Sequence, residues 1–322
     1  MERRDYRRGG SLTEVGMGSA QLGNLFVETT DEESTAAVDA AWQAGIRYFD
    51  TAPHYGLGLS ERRLGRALAG RPREEYVLSS KVGRLLVDSP ETAHQQDDDG
   101  FVVPAETKRV FDFTRDGVLQ SVESSLERLG VDRLDIAYLH DPDDHWEAAS
   151  TTGVDALVEL RDQGVVGAIG AGMNQSAMLA EFVRRTDVDI MMVAGRYSLL
   201  DQSAADDLLP IAAERGVSVV AAAVYNSGIL STSTVPADAH FDYGVASAEV
   251  LAKARRIQEV CATFEVDLPA AAVQFALRRP EVASVVLGIR TAGHAISSVE
   301  RATAPIPDEL WGALADEGLV RV

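Results

Sequence analysis

Eight times along the chain a short, β-branched apolar run is followed by a stretch with helical spacing, and that alternation restricts the fold more than any other feature of the 322 residues. The first run covers residues 12–17 and ends at Gly18-Ser19-Ala20. Thr29-Thr30-Asp31-Glu32-Glu33 then starts a helix, with carboxylates in its first turn, that stops at Gly45. Residues 46–50 form the second run, and Ser60, as N-cap, opens the helix to Leu68. The third run, 76–81, is followed by a long loop and a helix over 114–129 closed by Gly130. The fourth, 134–140, is followed by a helix over 153–161, the fifth, 166–171, by one over 176–185, and the sixth, 190–194, by one over 204–214. The seventh, 217–222, precedes helices at 247–264 and 269–277, and the eighth, 282–287, precedes a helix over 294–301.

Strands this short and apolar on both faces belong to a parallel sheet covered by helices. Eight such units close into an α/β fold, a (β/α)8 TIM barrel, expected as a single domain over residues 1–322. A doubly wound open sheet would want a G-x-G-x-x-G turn after an early strand, and none stands there. Residues 83–113 then form a long loop at the barrel mouth, in the position of a substrate lid.

With 50 acidic against 30 basic residues the net charge is −20, which repels nucleic acid and anionic membrane surfaces. The lone Cys261, between Val260 and Ala262, reads as a buried thiol in a reducing compartment. No apolar run reaches the ~20 residues that span a bilayer, and the polar start Met1-Glu2-Arg3-Arg4 has no signal-like core. The expectation is a cytoplasmic protein, monomer or homodimer, with a small-molecule partner rather than nucleic acid or membrane.

Barrel chemistry gathers at the C-terminal ends of the strands. There the sequence places Asp50, Lys81 and His140 at the ends of three consecutive runs, with Tyr55 on the loop after the second. A phenol with a pKa of ~10 exchanges protons poorly at neutral pH unless a cation lowers it. Lys81 supplies that cation, Asp50 holds it charged, and a neutral His140 can bond the same substrate oxygen. The set suits moving one proton on or off an oxygen. A metal site built from His54, His140, Asp50 and Asp141 is the rival, but Lys81 beside it would compete with the ion, so no metal is expected. Asp97-Asp98-Asp99 reads as a solvated turn. His54, Arg84, Phe111 and Trp146 are the candidate substrate contacts.

The stretch Tyr48-Phe49-Asp50-Thr51-Ala52-Pro53-His54-Tyr55-Gly56, the run Leu78-Ser79-Ser80-Lys81 and the run Leu134-Asp135-Ile136-Ala137-Tyr138-Leu139-His140 resemble the signature regions of the aldo-keto reductases. That resemblance covers nearly the whole chain and implies an NAD(P)-dependent oxidoreductase with Tyr55, Lys81, Asp50 and His140 as its catalytic tetrad. It also implies a dinucleotide, NAD or NADP, lying across the barrel mouth. Tyr225-Asn226-Ser227-Gly228-Ile229-Leu230 offers an aromatic for the nicotinamide face and small residues whose amides face a pyrophosphate, and Gly288-Ile289-Arg290-Thr291 leads to His294 at a usual phosphate position. Many relatives carry Ser-Asn after strand five, Gln after strand six and Glu-Asn on the last helix; here Met173-Asn174, Ala194 and Ser297-Ser298 stand instead. Asn174 is left as the carboxamide contact, Ser298 falls at the adenine end, and Arg290 is the candidate partner of a 2′-phosphate.

Ala171-Gly172-Met173-Asn174-Gln175, Ala194-Gly195-Arg196-Tyr197-Ser198 and Asp112-Phe113-Thr114-Arg115 are similar to the sugar 1-dehydrogenases of that family, of the L-fucose and D-threo-aldose type, with pyridoxal 4-dehydrogenase close by. The implied reaction oxidises a cyclic hemiacetal to its lactone with Tyr55 as general base. A general aldehyde or ketone reductase is the alternative within the family, and a cofactor-binding regulatory subunit that senses redox state is the alternative outside enzymes.

Overall fold

The computed structural model describes residues 1–321, and Val322 lies outside the described residues. The chain enters through an antiparallel hairpin, β1 (Arg3–Tyr6) and β2 (Gly10–Thr13), and then starts the barrel with β3 (Val15–Gly18). The apolar run over 12–17 is therefore two strands rather than one. Periodicity cannot show the break, which hydrogen bonds make: Thr13 Oγ1 donates to Val15 O, and Thr13 O accepts from Ser284 Oγ. Leu12 of the hairpin belongs to the apolar cluster inside the barrel.

Helix α1 (Asp31–Gln43) starts at Thr30, whose Oγ1 accepts from Glu33 N while Glu33 Oε2 accepts from Thr30 N, a reciprocal cap worth about 1 kcal/mol. Strand β4 (Tyr48–Asp50) leads to α2 (Leu59–Leu68), capped by Gly58 rather than by Ser60. Ser60 sits inside the first turn, fully buried, with its hydroxyl donating to Ser19 O. After β5 (Val77–Val82), the long loop carries an antiparallel hairpin, β6 (Arg84–Asp88) and β7 (Thr107–Phe111), with Arg84 opposite Phe111. Its strands stand too far apart in sequence for a turn signal to announce the pairing.

Helix α3 (Arg115–Leu129) is capped by Thr114 and closed by Gly130 at φ 68°. Strand β8 (Leu134–His140) runs into a helical stretch, α4 (Trp146–Ala148) and α5 (Val154–Asp162), joined by a π turn. There follow β9 (Val166–Met173), α6 (Ser176–Arg185), β10 (Ile190–Ala194), α7 (Leu208–Arg215) and β11 (Ser218–Ala222). A short hairpin, β12 (His240–Phe241) and β13 (Gly244–Val245), precedes α8 (Ala248–Thr263) and α9 (Leu268–Leu277). Strand β14 (Val282–Gly288), α10 (Ala292–Thr303) and α11 (Asp308–Asp316) complete the chain; the last helix is one the sequence reading left out.

Strands β3, β4, β5, β8, β9, β10, β11 and β14 close into one barrel, every neighbouring pair parallel and in chain order. No single helix among the described residues is long and apolar enough to cross a membrane. Alternate residues of a strand face the barrel interior, so Asp50, Lys81 and His140 stand one layer above Tyr48, Ser79 and Tyr138. Lys81 is the penultimate residue of its strand rather than the last. Below these layers the interior is apolar, with Ile136, Ala168, Ile190, Met192 and Val220 in one cluster.

Candidate active site

The loop from Thr51 to Gly58 delivers Tyr55 and is stapled from below by three hydroxyls. Ser60 Oγ donates to Ser19 O at 2.7 Å, Thr51 Oγ1 lies 2.9 Å from Ser60 Oγ, and Ser19 Oγ donates to Asp50 O at 2.7 Å. The backbone of Tyr55 and Gly56 also rests directly on Gly23 of the preceding loop: a Cβ at Gly23 would stand 2.6 Å from Tyr55 C. Glu61, fully buried, accepts from Ser80 Oγ at 2.7 Å and from Arg128 Nε at 2.6 Å, and so fixes the strand residue next to Lys81. Ser19, Gly23 and Glu61 were missed in the sequence because each acts through a contact between distant segments.

Lys81 Nζ donates to Asp50 Oδ2 at 2.7 Å, to Thr51 O at 2.9 Å and to Tyr55 OH at 3.1 Å. Burial alone would lower the Lys81 pKa, but the Asp50 charge and the Tyr55 hydroxyl outweigh it and raise it, so the ammonium stays charged. Burial pushes the Tyr55 phenol above its ordinary 10, against the downward pull of Lys81. The cation expected to lower this phenol does pull it down, but desolvation wins, and the resting group holds its proton. Burial, reinforced by Arg84 and Lys81, holds His140 well below 6.5, and burial with Arg84 and Arg109 brings His54 down to about 2. Both imidazoles are neutral.

His54, Tyr55 and His140 form one aromatic corner, with His140 5.5 Å from His54 and 6.0 Å from Tyr55 between ring centroids. Arg84 joins them, pairing with Asp141 at 2.5 Å while its Nη1 lies 3.4 Å from His54 Nδ1. Asp141 Oδ2 is 3.6 Å from His140 Nε2. Phe111 lies beside the guanidinium, half-exposed, with Phe113 and His145 against its ring. Trp146 does not join this group: its ring packs edge-on against Phe182 with Arg185 beside it, both on α6. In the acidic run Asp98 and Asp99 are exposed, as expected of a solvated turn, but the Asp97 side chain is buried. Asp97 and Asp99 both grip Arg109, whose Nη2 donates to His54 O.

Across the mouth, Asn174 Nδ2 donates to Ala194 O at 3.0 Å and Asn226 Nδ2 to Gly195 O at 3.1 Å. Those bonds orient the two side-chain oxygens, and among the described residues the buried Asn226 Oδ1 has no protein partner, as is true of Gln21 Oε1 beside Gly288 and of His140 Nδ1. With Arg84 Nε and Arg109 Nε in the same state, these orphaned buried polar atoms around one mouth fit a ligand rich in amide and hydroxyl groups, which suits a nicotinamide nucleotide.

Other expectations at this end are corrected. Arg290 is held by Leu25 O, Val27 O and Thr29 Oγ1, so its fork fastens the loop after β3. Ser298 Oγ donates back to His294 O, as serines inside helices do, and its hydroxyl is spent there. Tyr225 OH accepts from Arg301 Nη1 at 3.2 Å, a partner absent from the sequence reading. In the turn that follows, Asn226, Ser227 and Gly228 all have positive φ, and the amides of Asn226, Gly228, Ile229 and Leu230 bond carbonyls of that same turn. Ser227 Oγ accepts from Tyr243 N, and Leu230 is buried in the core. Thr291 caps α10 by accepting from His294 N, and His294 is exposed.

A buried lysine between a carboxylate and a phenol, with a neutral imidazole against the phenol, is a set able to move a proton at one oxygen. Comparison with known proteins agrees: residues 14–316 match the model of the Aldo/keto reductase family. The chain belongs to the aldo/keto reductase family. It is an NAD(P)-dependent oxidoreductase with a nicotinamide cofactor and a small-molecule substrate. It is 45% identical to a D-threo-aldose 1-dehydrogenase of a Pseudomonas species, over 96% of this chain and 95% of that one. It is 37% identical to a pyridoxal 4-dehydrogenase of Microbacterium luteolum, over 98% and 96%. Among solved structures, the holo form of an aldo-keto reductase from Bacillus halodurans superposes with a TM-score of 0.79 at 25% identity, covering 100% of this chain and 97% of that one.

Proposed function

We propose that this reductase-family enzyme oxidises the anomeric carbon of a cyclic aldose to the lactone. The observation that carries the proton chemistry is the Lys81 ammonium held between Asp50 Oδ2 and Tyr55 OH. Tyr55, protonated at rest, releases its proton to solvent before the reaction, and the phenolate, stabilised by Lys81 while Asp50 keeps the ammonium in place, takes the proton of the anomeric hydroxyl. His140, neutral, bonds the same substrate oxygen without competing for its proton. When bound, the nicotinamide supplies the hydride acceptor for the anomeric C–H. Asn174 and Asn226 would hold its carboxamide, and the turn of Tyr225, Ser227 and Gly228, whose amides are spent within it, would with Gly288, Thr291 and His294 line the rest of its path by shape.

The substrate corner supports a neutral polyol. Arg84 is cancelled by Asp141, His54 is uncharged, and Phe111 offers an apolar face, a set that bonds hydroxyls and gives no excess charge for a carboxylate or phosphate. The 45% relative is named for an aldose, which favours this reading over pyridoxal or a general carbonyl substrate. Arg290 and Arg301 are both spent on protein acceptors, which favours NAD+ over NADP+. The test is reduced-nicotinamide absorbance with NAD+ or NADP+ against L-fucose, D-arabinose, L-galactose, D-galactose and pyridoxal. Turnover of an aldose with NAD+ preferred by about tenfold or more in kcat/KM is expected. Turnover of pyridoxal alone, or tight cofactor binding with no turnover of any carbonyl or aldose, would remove the reading.

A further inference from the structure

The layer beneath the proposed catalytic groups holds three hydroxyls that the reaction as described does not use. Ser79, Tyr48 and Tyr138 have no exposed surface. Ser79 Oγ lies 2.6 Å from Asp50 Oδ1 and 3.1 Å from Tyr48 OH, and Tyr48 OH lies 3.3 Å from Tyr138 OH. We propose that these three residues are a directed hydroxyl relay that tunes proton transfer at Tyr55 through Asp50 and Lys81.

The direction follows from counting hydrogens. A carboxylate only accepts, so the single Ser79 proton goes to Asp50 Oδ1. Tyr48 must then donate to Ser79 Oγ, and with its proton used it accepts from Tyr138. Every donor in the chain points toward Asp50. Among the described residues Oδ1 takes a side-chain hydrogen bond from Ser79 alone, while Oδ2 faces Lys81. Burial holds both phenols above 10, which keeps them protonated donors. An apolar interior would have packed as well without the desolvation cost of three hydroxyls, so packing is a poor reason for them.

The relay draws negative charge toward Oδ1 and leaves more of the Lys81 field for the Tyr55 phenolate. Breaking it makes Asp50 a stronger acceptor toward Lys81, so the phenol holds its proton harder. The other groups facing Asp50 and Tyr55 are His140 and Asp141 at the end of β8, His54 on the Tyr55 loop, Arg84 and Arg109 of the β6–β7 hairpin, and Tyr6 below Tyr48. None of them is altered by substitutions in the relay. Ser79, Tyr48 and Tyr138 are positioning residues, and the proposal rests on Tyr55 being the proton acceptor.

The experiment compares wild type with Ser79→Ala, Tyr48→Phe and Tyr138→Phe. Two pH profiles are recorded: the tyrosinate absorbance that disappears on adding Tyr55→Phe to each protein, which needs neither substrate nor cofactor, and kcat for oxidation of the aldose that turns over. Thermal unfolding is measured alongside. The Tyr55 midpoint should rise by about one pH unit in Ser79→Ala, a roughly tenfold loss of rate at a fixed pH below it. The rise should be smaller in Tyr48→Phe and smallest in Tyr138→Phe. Should Ser79→Ala not fold, the near-isosteric Tyr48→Phe decides by the same sign. Unmoved midpoints, with only the melting temperature changed, overturn the relay and leave Tyr55 as the base. A Tyr55→Phe enzyme that retains turnover overturns both.

Discussion

Arg84 and Asp141 show how a single pair can set what the site accepts. Burial raises the Asp141 carboxyl above its ordinary range and Arg84 opposes that rise, so the pair is neutral as a unit but offers both donors and acceptors. Arg84→Met removes a charge-assisted donor from the substrate corner while leaving Lys81, Asp50 and Tyr55 in contact. KM for the aldose should rise about tenfold or more with kcat changed only a few-fold, in keeping with the strength of hydrogen bonds to charged groups. Steady-state kinetics decides it, and an unchanged KM would take Arg84 out of substrate binding. At this scale the sequence was legible wherever strand ends alone place a side chain, as for Asp50, Lys81 and His140. It was misleading for Trp146 and Arg290, because a side chain near the mouth in sequence can be claimed by a neighbouring helix or loop. Nothing in the spacing of residues 290 and 25–29 announces that the Arg290 fork closes on that loop.

The elements divide in the same way. Helices with local start and stop signals, such as α1 between Thr30 and Gly45 or α3 between Thr114 and Gly130, stand where capping chemistry puts them. The three hairpins outside the barrel depend on pairing partners that only the folded chain supplies, and the period-2 signal over so few residues does not separate them from loop. Gly23 belongs here too, since it is the contact between the loop after β3 and the Tyr55 loop. A Cβ at Gly23 would meet Tyr55 C at 2.6 Å and Tyr55 O at 2.7 Å, backbone atoms that cannot swing aside. Gly23→Ala should cost about 1–3 kcal/mol of stability by overpacking and lower kcat by more than tenfold, because Tyr55 is pushed away from Lys81. Denaturant unfolding and initial rates on one preparation test both parts, and wild-type kcat would show that the Tyr55 loop absorbs the shift.

For the molecule as a whole, the neutral histidines at the mouth link its chemistry to acid stability. His54 and His140 have folded pKa values below their unfolded value of ~6.5, so below that pH the unfolded chain binds protons that the folded chain refuses. Stability is therefore full above about pH 6.5 and falls as pH drops, by up to about 1.4 kcal/mol per pH unit for each histidine. Chemical unfolding between about pH 7 and 5 should show that slope, and His54→Gln should remove about half of it; an unchanged slope in the variant would contradict the burial argument.

The barrel was legible because eight two-sided apolar strands leave few other closures, and the mouth chemistry followed from where those strands end. In the proposed reaction Tyr55, held by Lys81 and Asp50, carries the proton. The most direct test is Tyr55→Phe, measuring aldose oxidation and, by fluorescence, binding of NAD+. Turnover reduced by about 10³-fold or more with nucleotide affinity retained is the predicted result, in line with loss of a general acid–base group. Turnover within tenfold of wild type would contradict it.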